Sequence, residues 1–162
     1  MPGIQFLQDG IDQTMKQDAD LDIILGYQMQ RAHLLMTEDA RKVLQPHGLT
    51  PAKLTALLLI RANPGSDQTA LGRALSINRS SAMKLVNVLV AQDFIERRAG
   101  RNLRTNALHL LPAGEARLTG ILVSLRESDD RMSARLTASE RASLFALLRK
   151  LGPARSRKAP AA

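Results

Sequence analysis

The sequence predicts a mainly α-helical chain carrying one small β-hairpin, and three observations carry that prediction. Apolar residues recur at helical spacing through most of the 162 residues. Proline and glycine punctuate that periodicity at Gln45-Pro46-His47-Gly48, Asn63-Pro64-Gly65 and Gly152-Pro153, dividing it into separate helices. Between Phe94 and Leu110 the helical period gives way to two short extended stretches around a glycine-bearing turn.

Taken in order, residues 1–18 are polar with scattered apolar positions and read as a loose arm or a short helix. A helix follows from about Leu21 to Gln45, with Asp20 and Asp22 placing negative charge at the positive end of its dipole. Leu21, Leu25, Ala32, Leu35 and Val43 are its buried candidates. Proline ends it, because the residue before a proline avoids helical geometry. Thr50-Pro51 restarts a helix with Thr as N-cap and Pro at the first helical position, and Leu54, Leu57, Leu58 and Ile60 make it strongly apolar. Ser66 or Asp67 caps the next, short helix, whose Ala70, Leu71, Ala74 and Leu75 pack inward. Asn78 caps the helix after that.

This last helix has two unlike sides. Ala82, Leu85, Val86, Leu89 and Val90 form the inward one. Arg79, Ser80, Met83, Lys84 and Asn87 are left on the other, which has hydroxyls, one amide, two cations and no carboxylate. A face made only for solvation usually mixes both signs of charge. Helix, turn and a second helix with a donor-rich outer face is the arrangement that enters a DNA major groove. A strand opening at Phe94-Ile95 and a return strand from about Leu103 to Leu110 complete a wing, with Ala99 to Asn102 as its turn. Arg97, Arg98, Arg101 and Arg104 crowd this hairpin. Pro112 and Gly114 lead into a helix lasting to about Met132, and Thr137 and Glu140 have the spacing of a capping box for a final helix.

Net charge is +8, and its distribution matters more than its size. Residues 1–60 hold five Lys/Arg against seven Asp/Glu, whereas residues 61–110 hold eight against three and residues 111–162 ten against five. Positive density on the helix-turn-helix implies a polyanionic partner. In the tail, Arg155, Arg157 and Lys158 read as a solvated end. Aromatic residues make up only 2% of the chain, so the core is expected to be aliphatic.

Several function classes drop out. Absence of cysteine excludes a disulfide framework and a thiol switch. No apolar run approaches the length of a membrane span, and the first residues lack a signal-peptide pattern, so the expected compartment is the cytoplasm. His33, His47 and His109 have no metal-ligand spacing. Ser80-Ser81 has no nucleophile-elbow context, and no phosphate-cradling or dinucleotide glycine motif occurs, so neither a catalytic residue nor a cofactor is expected.

The order of GLTPAKLTALLLI, QTALGRAL, INRSSAMKLVNVLVAQDFIERR, a basic wing, LPAGEARL and C-terminal helices resembles the MarR family of bacterial transcription regulators, over about residues 20–151. The resemblance implies a homodimeric winged helix-turn-helix protein on a palindromic operator. Its terminal helices (1–48 and 112–152) would form the dimer, 49–111 the DNA-binding lobe, and 153–162 a disordered basic tail. Carried onto this sequence, the recognition helix supplies Asn78, Arg79, Ser80, Ser81, Met83, Lys84 and Asn87. Gln68, Thr69 and Arg73 approach the backbone. Arg101 and Arg104 form the wing contacts, where a narrow minor groove attracts arginine. Arg98 joins this DNA-facing set, although either Arg97 or Arg98 can instead pair with Glu96. Three positions depart from the family pattern: Asn102 replaces an aspartate that braces the wing arginine, Asp93 replaces a common glycine, and Leu111 replaces a threonine cap.

LGYQMQRAHLLM and NPGSDQTALGRAL further resemble a branch of the family tied to aromatic-acid catabolism. That resemblance implies an anionic effector, an aromatic acid or its CoA thioester, between the first helix, the GLTP helix and the helix after the wing. Tyr27 and Arg31, one turn apart, would offer it a ring edge and a carboxylate partner. The expected function is a ligand-released repressor; the alternative is a winged-helix protein that binds DNA without an effector, in an architectural or nonspecific role.

Overall fold

A computed structural model of the chain describes residues 18–99 and 106–151. Its elements run α1 (Asp20–Ile23), α2 (Leu25–Leu44), a 3-10 turn (Gln45–His47), α3 (Pro51–Ala62), α4 (Gln68–Ala74), α5 (Arg79–Ala91), β1 (Ile95–Ala99), β2 (Asn106–Leu110), α6 (Pro112–Met132) and α7 (Ala138–Leu151). The predicted class holds: mainly α, with one antiparallel hairpin that pairs Ile95 with Leu110 and Ala99 with Asn106. A single bridge from Asp67 to Ala107 ties the start of α4 to this hairpin. Leu108 reinforces the tie, donating its N–H to Ser66 and accepting from Gly65, both at 2.9 Å.

The expected caps are formed. Thr50 Oγ1 accepts the Lys53 N–H at 3.3 Å, and Asp67, rather than Ser66, accepts that of Ala70 at 2.7 Å. Asn78 accepts that of Ser81 at 2.8 Å. Thr137 and Glu140 exchange bonds in both directions, Thr137 N–H to Glu140 at 2.7 Å and Glu140 N–H to Thr137 at 3.3 Å.

Three helix ends close in the same way, with a left-handed residue whose neighbours satisfy the last carbonyls. At the 3-10 turn this residue is Gly48, φ 66°; after α4 it is Ser76, φ 54°; after α5 it is Asp93, φ 56°. Behind Ser76, the Ile77 N–H reaches Gly72 O at 3.0 Å, and behind Asp93, the Phe94 N–H reaches Leu89 O at 3.1 Å. Asp93 thus occupies a conformation that costs an L-residue free energy and a glycine little. Leu111 precedes α6 without a side-chain cap.

Leu44, Leu57, Ile60, Leu71, Val86, Leu89, Leu108, Leu118 and Ile121 form one aliphatic core, joined by a single aromatic, Phe94, which is fully buried. Two expectations about α2 need correction. The first helix is broken at Ile24, which is extended (ψ 104°), instead of running unbroken from Leu21. An Ile23-Ile24 pair of β-branched residues is a weak helix segment, and the Gln28 amide donates to Leu21 O and Asp22 O, satisfying carbonyls that the break releases. Leu25 and Ala32 are exposed, not buried; Leu44 is the fully buried residue of α2. Ala74 on α4 is likewise exposed. The arm before residue 18, the wing tip at 100–105 and the tail after 151 lie outside the described residues.

Candidate nucleic-acid interface

α5 is held from beneath by Ala82, Val86 and Leu89. Gly72 lets α4 approach it closely: a Cβ there would lie 3.2 Å from Ala82 Cβ. With that side buried, Arg79, Ser80, Met83, Lys84 and Asn87 are all exposed, as the helical period requires. They fall at i, i+1, i+4, i+5 and i+8, a stripe two turns long. α5 contains no acidic residue. Arg guanidinium, Lys ammonium and Asn amide are the groups that pair with base edges and phosphates.

Of the remaining predicted residues, Thr69 and Arg73 on α4 are exposed and Gln68 is half-buried. Ser81 is exposed, and its N–H is taken by the Asn78 cap. That cap occupies the Asn78 carbonyl, so its NH2 is the group left for a ligand. Arg98 is exposed but donates to Glu96 at 2.5 Å through Nη2, which offsets its charge. Arg97, which the sequence offers with Arg98 as a partner for Glu96, meets another group. Its Nη2 donates to Asn87 Oδ1 at 2.5 Å, joining the hairpin to the exposed stripe of α5. Strand alternation could have found it: Arg97 lies on the same side of β1 as the buried Ile95, and Arg98 on the other. Arg101 and Arg104 lie outside the described residues.

The C-terminal end of α5 is anchored from α6. Arg117 donates to Gln92 O at 2.8 Å and stacks on Phe94 with its guanidinium carbon 4.0 Å from the ring centroid. Positive charge at a helix C-terminus is favourable, so this contact fixes α5 relative to α6.

Tyr27 and Arg31 are both half-buried on α2, with the Arg31 guanidinium 5.7 Å from the Tyr27 ring centroid. A small cavity of about 170 Å³ lies elsewhere, between α3 and α4, lined by Leu59, Asn63, Ser66, Ala70, Leu71 and Ala74. Among the described residues no His/Cys/Asp/Glu cluster could hold a metal, and no helix is long and apolar enough to cross a membrane.

Residues 47–104, the span from the 3-10 turn into the wing, match the MarR family model. A Thauera aromatica protein described as a transcriptional regulatory protein for the hcr operon is 34% identical over 129 residues, covering 78% of each chain. This chain belongs to the MarR family. Among solved structures of MarR-like folds, the transcriptional repressor CouR bound to a 23-mer DNA duplex superposes with a TM-score of 0.75 at 30% identity, over 85% of this chain and 98% of that one. The Mycobacterium tuberculosis MarR family protein Rv2887 in complex with salicylic acid gives 0.65 at 26% identity, over 80% and 96%. As a MarR-family protein the chain is a DNA-binding transcription regulator of winged-helix type, and α4–α5 with the hairpin is its helix-turn-helix and wing.

Proposed function

We propose that this protein is a homodimeric repressor that occupies a palindromic operator and leaves it when a small aromatic acid, or its CoA thioester, binds. The observation that carries the DNA half of the reading is the carboxylate-free, exposed stripe Arg79, Ser80, Met83, Lys84 and Asn87. Asn78, Ser81, Gln68, Thr69, Arg73 and Arg98 accompany it, and the family resemblance adds Arg101 and Arg104, which lie outside the described residues. Supporting a dimer, α1–α2 exposes Ile23, Ile24, Leu25, Met29, Leu34 and Met36, and α7 exposes Leu144, Phe145, Leu147, Leu148 and Leu151. Apolar surface of that extent at the two ends of a chain suits burial against a second copy. In this reading 1–48 and 112–152 are dimerisation segments, and 49–111 is the DNA-binding lobe.

The effector half rests on Tyr27 and Arg31, and on the salicylic acid complex of the relative Rv2887. An anionic aromatic ligand would exchange the Arg31–Tyr27 contact for its own carboxylate and ring. Release follows from a population shift: the effector prefers a spacing of the two recognition helices that no longer fits successive major grooves. Each tenfold loss of operator affinity requires roughly 1.4 kcal/mol of differential effector binding.

A gel-shift assay on the DNA upstream of the protein's own gene, repeated with aromatic acids and their CoA thioesters, tests both halves. Retardation relieved by one of these ligands is expected, and Arg31→Ala should abolish the relief while retaining retardation. Retardation that no ligand relieves, without stabilisation in thermal shift, favours an effector-independent DNA-binding protein. No retardation by any duplex overturns the reading.

A further inference from the structure

The geometry points to Arg97 as a positioning residue for base recognition: its guanidinium fixes the orientation of the Asn87 carboxamide on the recognition helix. This rests on the DNA-binding reading above and deepens it. An arginine side chain has only donors, so the amide atom facing Arg97 Nη2 at 2.5 Å must be the oxygen, whichever way the amide would turn alone. An Asn side chain free in solvent can exchange its O and NH2 by rotation about the last torsion, and the two orientations present opposite donor and acceptor orders to a base pair. Bidentate pairing with adenine needs one particular order: oxygen toward the base amine and NH2 toward the ring nitrogen. The contact with Arg97 occupies one lone pair of the Asn87 oxygen. The other lone pair and both N–H groups remain available, now in a single order.

Four observations make Arg97 suited to this role. It stands in β1 opposite Leu108, on the side of the strand that faces the lobe, and is half-buried. Its neighbour Arg98 takes the Glu96 carboxylate on the opposite side, so among the described residues no acidic group draws Arg97 away from Asn87. Asn87 lies one turn beyond Met83 and Lys84 in the exposed stripe of α5. Finally, the pairing of β1 with β2 and the buried Phe94 fix the strand that carries Arg97. The base of the hairpin therefore sets the reading direction of an amide on the neighbouring helix.

The test is selection from a random-sequence duplex library, followed by Kd measurements on the selected duplex and its single-base variants. Wild type is expected to select one sequence, with one base pair whose preference disappears in Asn87→Ala. Arg97→Met, similar in length but without donors, should lower the preference at that same base pair about tenfold and leave the others unchanged. In the Asn87→Ala background, Arg97→Met should weaken all duplexes alike, because only its charge remains to be lost. Unchanged preference in Arg97→Met, or an equal effect on preference with and without Asn87, overturns the positioning role while the DNA reading survives. Enrichment of no sequence by wild type overturns both. Matching thermal unfolding of the variants separates these effects from loss of fold.

Discussion

Gly114→Ala should destabilise the protein, even though it replaces the poorest helix former but proline with the best. Gly114 is buried in the first turn of α6, against the backbone of Phe94. A Cβ at this position would lie 2.8 Å from both the Cα and the carbonyl carbon of Phe94, and closer still to its oxygen. Bringing that oxygen out to 3.0 Å requires the Phe94 backbone or α6 to retreat by about 0.8 Å. Phe94 O also accepts the Leu111 N–H at 3.0 Å, a bond that the same retreat strains. Overpacking costs about 1–3 kcal/mol, and a weakened buried hydrogen bond about 1 kcal/mol more. Against this, helix propensity returns about 1 kcal/mol. The net is a loss of about 2 kcal/mol, which lowers Tm by roughly 4–8 °C. Gly120→Ala in the same helix is the control, because a Cβ there meets nothing within 4 Å. It should raise stability by about 0.5–1 kcal/mol. The assay is thermal and urea unfolding followed by circular dichroism at one fixed protein concentration, so that any self-association is held constant between variants. A Gly114→Ala protein as stable as wild type, or the same sign of change at both positions, would refute the close approach of α6 to the base of the wing.

Asp93→Gly should stabilise the protein by about 0.5–1 kcal/mol, because it relieves a left-handed residue at the end of α5; a fall in Tm would contradict this. Asp129 is held above its ordinary pKa of 3.8, first by desolvation and then by Asp130 and Asp39, with Arg141 opposing. A raised folded-state pKa favours the protonated form, so its contribution to stability is full below 3.8 and is lost as pH rises through the folded value. Asp129→Asn is therefore expected to be more stable than wild type at neutral pH, with the difference vanishing in acid; equal unfolding midpoints at neutral pH would count against the shift. Glu140 shows the opposite sign. The Thr137 N–H and hydroxyl hold its carboxyl below the ordinary 4.5, so the cap's stabilisation is present above 4.5 and lost as pH falls through the lower folded value. Amide protection in the first turn of α7, measured relative to the intrinsic exchange rate at each pH, should fall over that acid range in wild type and lose this pH dependence in Glu140→Gln.

Much of this was legible in the sequence because the signals are local. Thr50-Pro51, Asp67, Asn78 and the Thr137/Glu140 pair act within one helical turn, so residue identity and spacing sufficed to place four helix starts. The exposed stripe of α5 was legible for a similar reason, since one buried side fixes the other through the helical period. The break at Ile24 was not, because the Gln28 amide that supports it reaches back six and seven residues to carbonyls outside its own turn. Leu25 and Ala32 misled because α2 carries apolar residues on more than one side, and periodicity alone does not say which side meets its own lobe. Composition does not separate Arg97 from Arg98, because it weighs every wing arginine equally. Strand alternation does, putting Arg97 on the side of Ile95 and Arg98 on the side of Glu96, and the contacts with Asn87 and Glu96 follow that division.

The proposed function requires that DNA binding reside on the outer side of α5 and not in the chain's net positive charge. The most direct measurement is fluorescence anisotropy of a labelled upstream duplex, titrated with wild type and two double variants over a range of salt concentrations. Arg79→Ala with Lys84→Ala removes two charges from α5, and Arg149→Ala with Lys150→Ala removes two from α7. The α5 pair should weaken Kd by at least about tenfold and make the salt slope shallower by about two. The α7 pair should stay within about twofold of wild type. Equal losses for the two pairs would contradict it, since binding would then follow total charge and not the face that presents it.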